Sequence, residues 1–188
     1  MERLHRPSSF CNPGHLRHPE TVKTVLFVCT ANICRSPMAA AILRRRIAAM
    51  GLVDKVNVES AGVWARDGQP AAEDAVTVLA GRGIPLTEHR SRALTEKMLE
   101  TADVVLVMEE THRRSIFYLT PKHLRKVLLL TELVGDCDDV DDPYGGPIEG
   151  YVNTAAQLEA LIDTGLPRLL QQLGVAPLPQ SRPPEGAA

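Results

Sequence analysis

The chain has 188 residues, of which 44% are apolar and 23% charged, a composition typical of one globular domain with a buried core. Its formal net charge of −2 argues against a nucleic-acid partner or an anionic membrane surface, since both favour a strongly basic face. No apolar run has the length of a membrane span, and the basic start lacks the apolar segment of a secretory signal. We therefore expect a cytoplasmic monomer with no membrane partner.

Composition divides the chain into three parts. Residues 1–22 contain prolines, histidines and scattered charge without an apolar period, which predicts a flexible N-terminal extension. Residues 175–188 are rich in proline and predict a disordered tail. The segment between them, residues 23–174, carries the regular apolar pattern of a folded domain.

Short apolar runs alternate with helical patterns through this domain. Continuous runs of about five apolar residues are typical of strands buried on both faces, and longer runs with a helical period predict helices. In chain order, the predicted elements are a strand over Thr24–Cys29, a helix that starts at Pro37 and covers Met38–Met50, a strand over Val56–Ser60, a helix over Pro70–Arg82, a short helix capped by Thr95, a strand over Asp103–Met108, a helix over Glu110–Leu119, a strand over Lys126–Leu130 and a long helix over Tyr151–Leu173.

This alternation predicts an α/β fold. Strands separated by helices form βαβ units, which build a mostly parallel sheet with right-handed crossovers. Ligands of such folds bind beyond the carboxyl ends of the strands. The loop after the first strand is therefore the first place to search for a site.

The four cysteines, Cys11, Cys29, Cys34 and Cys137, are too sparse for a disulfide scaffold in a chain of this size. They contain no CxxC pair, and the histidines do not cluster with them, so the sequence predicts no metal site and no cofactor. A cysteine with a special role is then expected to be a nucleophile or a redox thiol.

The loop after the first strand reads Cys29-Thr-Ala-Asn-Ile-Cys-Arg35-Ser36-Pro37. A short loop above a helix N-terminus directs backbone N–H groups inward and forms an anion nest. An arginine at its end can hold two phosphate oxygens in a bidentate fork, and the same positive field favours a cysteine thiolate. The pattern therefore predicts a phosphate-binding loop with Cys29 as nucleophile, although an isolated cysteine at a strand end is usually a structural thiol.

The cysteine-to-arginine spacing alone is not specific, because Cys11 and Arg17 show it as well. That second match follows no strand, and Pro13 removes one of the N–H groups that the loop needs. We therefore reject it as a site.

The segment from Val28 to Pro37 resembles the signature loop of the low-molecular-weight protein tyrosine phosphatases. The resemblance continues in order through Ser60-Ala-Gly62, His89-Arg-Ser-Arg92 and Asp142-Pro-Tyr144, and it covers residues 24 to about 173. It implies a three-layer flavodoxin-like (Rossmann-like) fold with a four-stranded parallel sheet. It also implies that the backbone of Thr30, Ala31, Asn32, Ile33 and Cys34 binds the substrate phosphate, with Arg35.

Cleavage of a phosphate ester needs a proton donor for the leaving oxygen. The segment Asp136-Cys-Asp-Asp-Val-Asp-Asp142 offers five aspartates, most of which we interpret as a solvated acidic turn. The resemblance assigns the acid to Asp142, which precedes Pro143, and we expect it to lie near the other carboxylates. Chemistry alone leaves Asp141 as an alternative.

A loop with inward N–H groups needs bracing from its surroundings. The resemblance assigns this role to Asn32, Ser36, Ser60 and His89, with Ser36 also donating to the Cys29 sulfur. The same resemblance implies that Cys34 traps oxidised Cys29 as a reversible disulfide.

These residues predict a cysteine-dependent phosphatase that acts through a phosphocysteine intermediate. Expected partners are phosphotyrosine proteins, aryl phosphates and inorganic phosphate. Ile33, Tyr144 and Trp64 are expected to form apolar and aromatic walls for a phenyl ring. The alternatives are a phosphoarginine phosphatase, a thiol-dependent arsenate reductase and a non-enzymatic phosphopeptide-binding module.

Overall fold

The structure is a computed structural model that describes residues 21–175. Two short 3₁₀ helices, over Pro121–Lys126 and Thr131–Val134, flank the last strand. The strands and α-helices are β1 (Lys23–Cys29), α1 (Arg35–Ala49), β2 (Val56–Gly62), α2 (Glu73–Ala80), α3 (Glu96–Thr101), β3 (Val104–Val107), α4 (Glu110–Leu119), β4 (Val127–Leu129) and α5 (Ile148–Leu173).

The four strands form one parallel sheet in the order β2-β1-β3-β4. This arrangement confirms the predicted α/β class and the four-stranded parallel sheet. Strand β1 lies inside the sheet, where Cys29 pairs with Gly62 of β2. Because all strands run the same way, the segments that follow β1, β2 and β3 meet at one edge.

The continuous apolar run of β1 is explained by two cores, one on each face of the sheet. Val25 and Phe27 pack into the core that α1, α2 and α5 cover. Leu26 and Val28 point the other way, into the core with Leu99 of α3 and Ile116 of α4. Successive side chains of a strand alternate between faces, so a strand inside a three-layer fold needs apolar residues at every position.

Several predicted element boundaries are wrong. Helix α1 begins at Arg35, so Pro37 is its third residue and not its first. Helix α2 begins at Glu73 and ends at Ala80, shorter at both ends than predicted. Helix α5 begins at Ile148, three residues earlier than predicted, directly after Pro147, whose missing N–H costs no helical hydrogen bond at this position.

The predicted N-terminal extension and proline-rich tail fall almost entirely outside residues 21–175, as do Cys11 and Arg17. They stay predictions. Among the described residues, no helix combines the length and the apolar character needed to cross a membrane.

Candidate active site

The candidate site is built where β1 ends and α1 begins. Cys29 is the last residue of β1, and the loop over residues 30–34 leads directly into α1. The first turn of α1 has no side-chain cap and no acidic residue, so its N–H groups have no partner from either source. Such a helix end carries a partial positive charge and suits an anion.

The Cys29 sulfur is buried and lies among hydrogen-bond donors. Its Sγ is 3.0 Å from Ser36 Oγ and accepts the Asn32 backbone N–H at 3.3 Å. Ser36 Oγ in turn accepts from Asn32 Nδ2 at 2.9 Å. These contacts stabilise negative charge on the sulfur and fix its position.

Asn32 holds the loop in an unusual shape. It is fully buried and has a φ of 56°, in the left-handed region that residues other than glycine seldom adopt. Its carbonyl accepts from His89 Nε2 at 2.7 Å, and its Oδ1 accepts the Arg92 backbone N–H at 2.9 Å. The structure therefore brings Asn32, Ser36 and His89 together, as the resemblance implied.

Ser60 does not join this network. Its carbonyl accepts from the Arg92 guanidinium, and among the described residues its side chain makes no hydrogen bond to the loop. The predicted bracing role of Ser60 therefore lacks a contact in this structure. Arg92 braces the loop instead. Its backbone N–H donates to Asn32 Oδ1, and its guanidinium donates to the Ser60 carbonyl in β2.

Gly62 allows β2 to approach the loop closely. A Cβ built at this position would lie 2.6 Å from the Thr30 carbonyl oxygen and 2.8 Å from the Asn32 nitrogen. The next two residues tie the strand end to the loop, since Val63 N–H donates to Cys29 O and Trp64 N–H donates to Thr30 O. A side chain at position 62 has no room without movement of the loop.

Arg35 is 1% exposed and is held by two acidic side chains. Its Nη1 donates to Glu109 and, at 2.8 Å, to the Val140 carbonyl, while its Nη2 donates to Asp142 at 2.7 Å. Its Nε is buried and has no acceptor within residues 21–175. The guanidinium is thus fixed at the loop with one N–H left for a further acceptor.

The pairing of Asp142 differs from the sequence expectation. We expected this carboxylate to lie near other carboxylates of the acidic segment, whereas it contacts the Arg35 guanidinium. The segment is positioned by Val140, which is buried and whose N–H donates to the Met108 carbonyl beside β3. Local sequence could not show this contact because its partner is 107 residues away.

Glu109 and His112 are site residues that the sequence analysis missed. His112 is buried, its Nδ1 accepts the Glu109 N–H at 3.1 Å, and its Nε2 lies 3.0 Å from Thr30 Oγ1. Burial lowers the pKa of His112 to about 4, so the ring is neutral at pH 7 and carries its proton on Nε2, which donates to Thr30. The available signal was the position of Glu109, just beyond the carboxyl end of β3, beside the Cys29 loop.

A cavity of about 260 Å³ opens above the loop. Its walls combine the loop with the acidic segment and include Cys29, Thr30, Ala31, Ile33, Cys34, Arg35, Asp142 and Tyr144. Asp142 therefore shares the cavity with the Cys29 sulfur, and Asp141 is not among its lining residues. This placement favours Asp142 over Asp141 as the proton donor.

Trp64 does not line this cavity, so its predicted role as a wall for the substrate ring is not supported. Its side chain is 76% exposed and faces a separate depression on the surface. The contact of Trp64 with the loop is made by its backbone N–H, which donates to the Thr30 carbonyl.

Cys34 is buried beside α5, with its Sγ 3.7 Å from the Tyr151 hydroxyl. Burial raises the pKa of this thiol to about 11, so it stays protonated at neutral pH. Its predicted role as the partner of oxidised Cys29 stays a prediction. Cys137 is exposed and lies outside the cavity.

A family model described as low molecular weight phosphotyrosine protein phosphatase matches residues 24–175. The chain belongs to this family. A probable low molecular weight protein-tyrosine-phosphatase, EpsP of Ralstonia solanacearum, is 38% identical over 148 residues, which are 79% of this chain and 97% of that protein. A protein-arginine-phosphatase of Bacillus subtilis (strain 168) is 42% identical over 139 residues, 73% of this chain and 91% of that protein.

A solved structure agrees with this assignment. The low molecular weight protein tyrosine phosphatase from T. tengcongensis superimposes with a TM-score of 0.74 at 43% identity, over 78% of this chain and 99% of that chain. Family membership confirms the predicted flavodoxin-like fold and the predicted phosphatase class. The arsenate reductase and the non-enzymatic binding module are not favoured.

Proposed function

We propose that this phosphatase hydrolyses phosphotyrosine in proteins by two displacements at phosphorus, with Cys29 as nucleophile. The Cys29 sulfur forms a bond to phosphorus while the bond to the tyrosyl oxygen breaks. Asp142 gives its proton to that oxygen. In the second step water attacks phosphorus, Asp142 takes a proton from the water, and the S–P bond breaks to release inorganic phosphate.

The observation that carries this proposal is the placement of nucleophile, guanidinium and acid around one cavity. Cys29 and Arg35 lie at the two ends of one loop, Asp142 is 107 residues further along the chain, and all three line the cavity. The equatorial oxygens of the transferring group need donors fixed in advance. The loop N–H groups, the open first turn of α1 and the free Arg35 Nε–H supply such donors.

A phosphate in the loop would compete with Asp142 for Arg35. Asp142 is 41% exposed at its side chain and bound to Arg35 through one oxygen, so it can exchange this contact for one with the leaving group. Glu109 stays on Nη1 and continues to hold the guanidinium. The two carboxylates thus take different roles, one positioning Arg35 and one transferring the proton.

The walls of the cavity support phosphotyrosine over phosphoarginine. Ile33 presents a half-buried aliphatic side chain and Tyr144 an exposed ring, both suited to a phenyl group. An aliphatic wall offers no acceptor to the guanidinium of phosphoarginine. Phosphoarginine is the second candidate, because the protein-arginine-phosphatase of Bacillus subtilis is 42% identical to this chain over 139 residues, against 38% over 148 residues for EpsP.

Steady-state hydrolysis of an aryl phosphate by the wild type and by Cys29→Ser tests the mechanism. We expect Cys29→Ser to lose hydrolysis, and acid-quenched wild type to yield a phosphorylated peptide that contains Cys29. Cys137→Ser, which changes an exposed cysteine outside the cavity, is the matched control and should keep wild-type rates. Full activity of Cys29→Ser would contradict the proposal.

The same proteins separate the two substrate classes. Parallel measurements of kcat/KM with a phosphotyrosine peptide and a phosphoarginine peptide of the same sequence should favour phosphotyrosine. A preference for phosphoarginine would reverse the assignment. The cytoplasmic location, the monomeric state and the independence of metal ions stay predictions from the sequence.

A further inference from the structure

A buried histidine beside the phosphate cavity has no part in the displacement steps described above. His112 lies in the first turn of α4, is 2% exposed and contacts both Glu109 and Thr30. Its Nδ1 faces the backbone N–H of Glu109 at 3.1 Å. A backbone N–H can only donate, so Nδ1 is the acceptor and carries no hydrogen. The ring is therefore neutral, with its hydrogen on Nε2.

The second ring nitrogen fixes the hydroxyl of Thr30. His112 Nε2 lies 3.0 Å from Thr30 Oγ1 and, since it carries the ring hydrogen, it donates to this oxygen. Glu109 Oε1 is 4.0 Å from Nε2, which is too far to accept the same hydrogen. Thr30 Oγ1 is thus the acceptor, and its own hydrogen points away from the ring.

A cation approaches the same hydroxyl from a second side. Arg35 Nη2 lies 3.5 Å from Thr30 Oγ1, and a guanidinium can only donate. A threonine hydroxyl has two lone pairs and one hydrogen, so with both lone pairs facing donors only the hydrogen is left. Within residues 21–175 that hydrogen has no acceptor. Thr30 therefore presents an unused O–H donor in a residue that lines the phosphate cavity.

We propose that the Thr30 hydroxyl donates to a non-bridging oxygen of the bound phosphoryl group, and that His112 is the positioning residue that holds it in this orientation. The proposal rests on the proposed function, since it takes the occupant of the cavity to be a phosphate ester. The hydroxyl lies beside Arg35 Nη2, the group for which a phosphate would compete with Asp142. A phosphoryl oxygen at this guanidinium is then within reach of the O–H. The hydroxyl adds one oriented side-chain donor to the backbone N–H groups of the loop.

Thr30→Val tests the hydroxyl, because valine replaces it with a methyl group of similar shape. We expect kcat/KM for aryl phosphates to fall about tenfold, which corresponds to one hydrogen bond to a charged oxygen. Inhibition by inorganic phosphate should weaken as well, since phosphate offers the same oxygens. Thr30→Ser keeps the hydroxyl and should stay close to the wild type. Thr101→Val, which removes an exposed hydroxyl at the end of α3, is the matched control and should keep wild-type kinetics.

Two aryl phosphates separate the two kinds of oxygen in the substrate. A donor to a non-bridging oxygen should cost Thr30→Val the same factor with phenyl phosphate and with 4-nitrophenyl phosphate. A donor to the leaving oxygen matters more for phenyl phosphate, because its departing phenoxide is the stronger base. A loss confined to phenyl phosphate would therefore overturn the assignment to a non-bridging oxygen.

Two substitutions of His112 keep different halves of the ring. The amide nitrogen of His112→Gln can replace Nε2 as the donor to Thr30, whereas His112→Asn keeps only an acceptor near Nδ1. We expect His112→Gln to retain more activity than His112→Asn. The double variant Thr30→Val/His112→Asn should be no slower than Thr30→Val, because the ring acts through the hydroxyl. Additive losses would show that His112 only supports the fold, which overturns its positioning role.

An active wild type with an equally active Thr30→Val would overturn the hydroxyl donor and leave the proposed function intact. A wild type that hydrolyses no aryl phosphate contradicts the proposed function, and the role of Thr30 with it. Urea unfolding checks that each variant is folded. If Thr30→Val does not fold, Thr30→Ala removes the same hydroxyl with a smaller side chain and should show the same loss relative to Thr30→Ser.

Discussion

The carboxylate of Asp142 lies 2.7 Å from the guanidinium of Arg35, so the proposed proton donor is paired with the proposed phosphate-binding cation. An incoming phosphate must share or take over this guanidinium. If the phosphate uses Arg35 Nη2 as well as the free Nε, it competes with Asp142, so we expect substrate binding to release this carboxyl from the guanidinium.

Asp142→Asn tests this coupling. We expect kcat to fall about a hundredfold or more, since a general acid contributes roughly that factor. Inorganic phosphate should inhibit the variant at lower concentrations than the wild type, because a negative charge that competes for Arg35 is gone. Steady-state kinetics with phosphate as competitive inhibitor measures both effects.

Asp141→Asn is the control for this substitution, since it removes the neighbouring carboxylate, which does not line the cavity. It should change neither constant appreciably. Weaker inhibition by phosphate in Asp142→Asn would contradict the competition between substrate and carboxylate.

Gly62→Ala should damage the phosphate loop although it adds only one methyl group. The new Cβ would lie within 3 Å of the Thr30, Ala31 and Asn32 backbone, and overpacking of this kind costs about 1–3 kcal/mol. We expect a loss of stability of this size in urea unfolding and a larger proportional loss of kcat/KM. Gly81→Ala, which meets no atom closer than 3.5 Å, is the matched control. Wild-type kinetics for Gly62→Ala would show that the loop adjusts freely.

The burial of His112 predicts a pH-dependent stability. Its pKa is lowered from 6.5 to about 4, so below pH 6.5 the unfolded chain binds a proton that the folded protein does not. The free energy of unfolding should fall as the pH decreases from about 6.5 to 4.5, by at most about 1.4 kcal/mol per pH unit for one proton. Burial also lowers the pKa of His89, which adds a change of the same sign.

Urea denaturation of the wild type and of His112→Asn over this range measures the contribution. The variant should lose part of the pH dependence and keep the part that His89 provides. Identical profiles for the two proteins would show that His112 does not resist protonation in the fold.

Ile33→Thr should shift substrate preference. A hydroxyl at the cavity wall offers an acceptor to a phosphoguanidinium group and removes aliphatic contact with a phenyl ring. We expect the ratio of kcat/KM for phosphotyrosine over phosphoarginine peptides to fall about tenfold, which corresponds to one polar or apolar contact. Ile33→Val keeps the aliphatic wall and should keep the ratio. A ratio unchanged by Ile33→Thr would show that this position does not select the substrate.

The fold and the phosphate loop could be predicted because their signals are local. The continuous apolar run of β1 indicates burial on both faces, and the segment from Cys29 to Arg35 is one uninterrupted stretch. Glu109 and His112 could not be predicted in this way, because their roles depend on β3 ending beside β1. The exposure of the Trp64 ring could not be predicted either, since it depends on how the chain after β2 packs against the loop.

The open first turn of α1 has a consequence for the product as well as for the substrate. A helix end without its own cap is completed by whatever oxoanion lies in the loop, and any ligand that binds only the folded form raises its melting temperature. Free orthophosphate offers the same oxygens to these N–H groups after the reaction is over. We therefore expect the product to be retained in the loop and turnover to slow as phosphate accumulates.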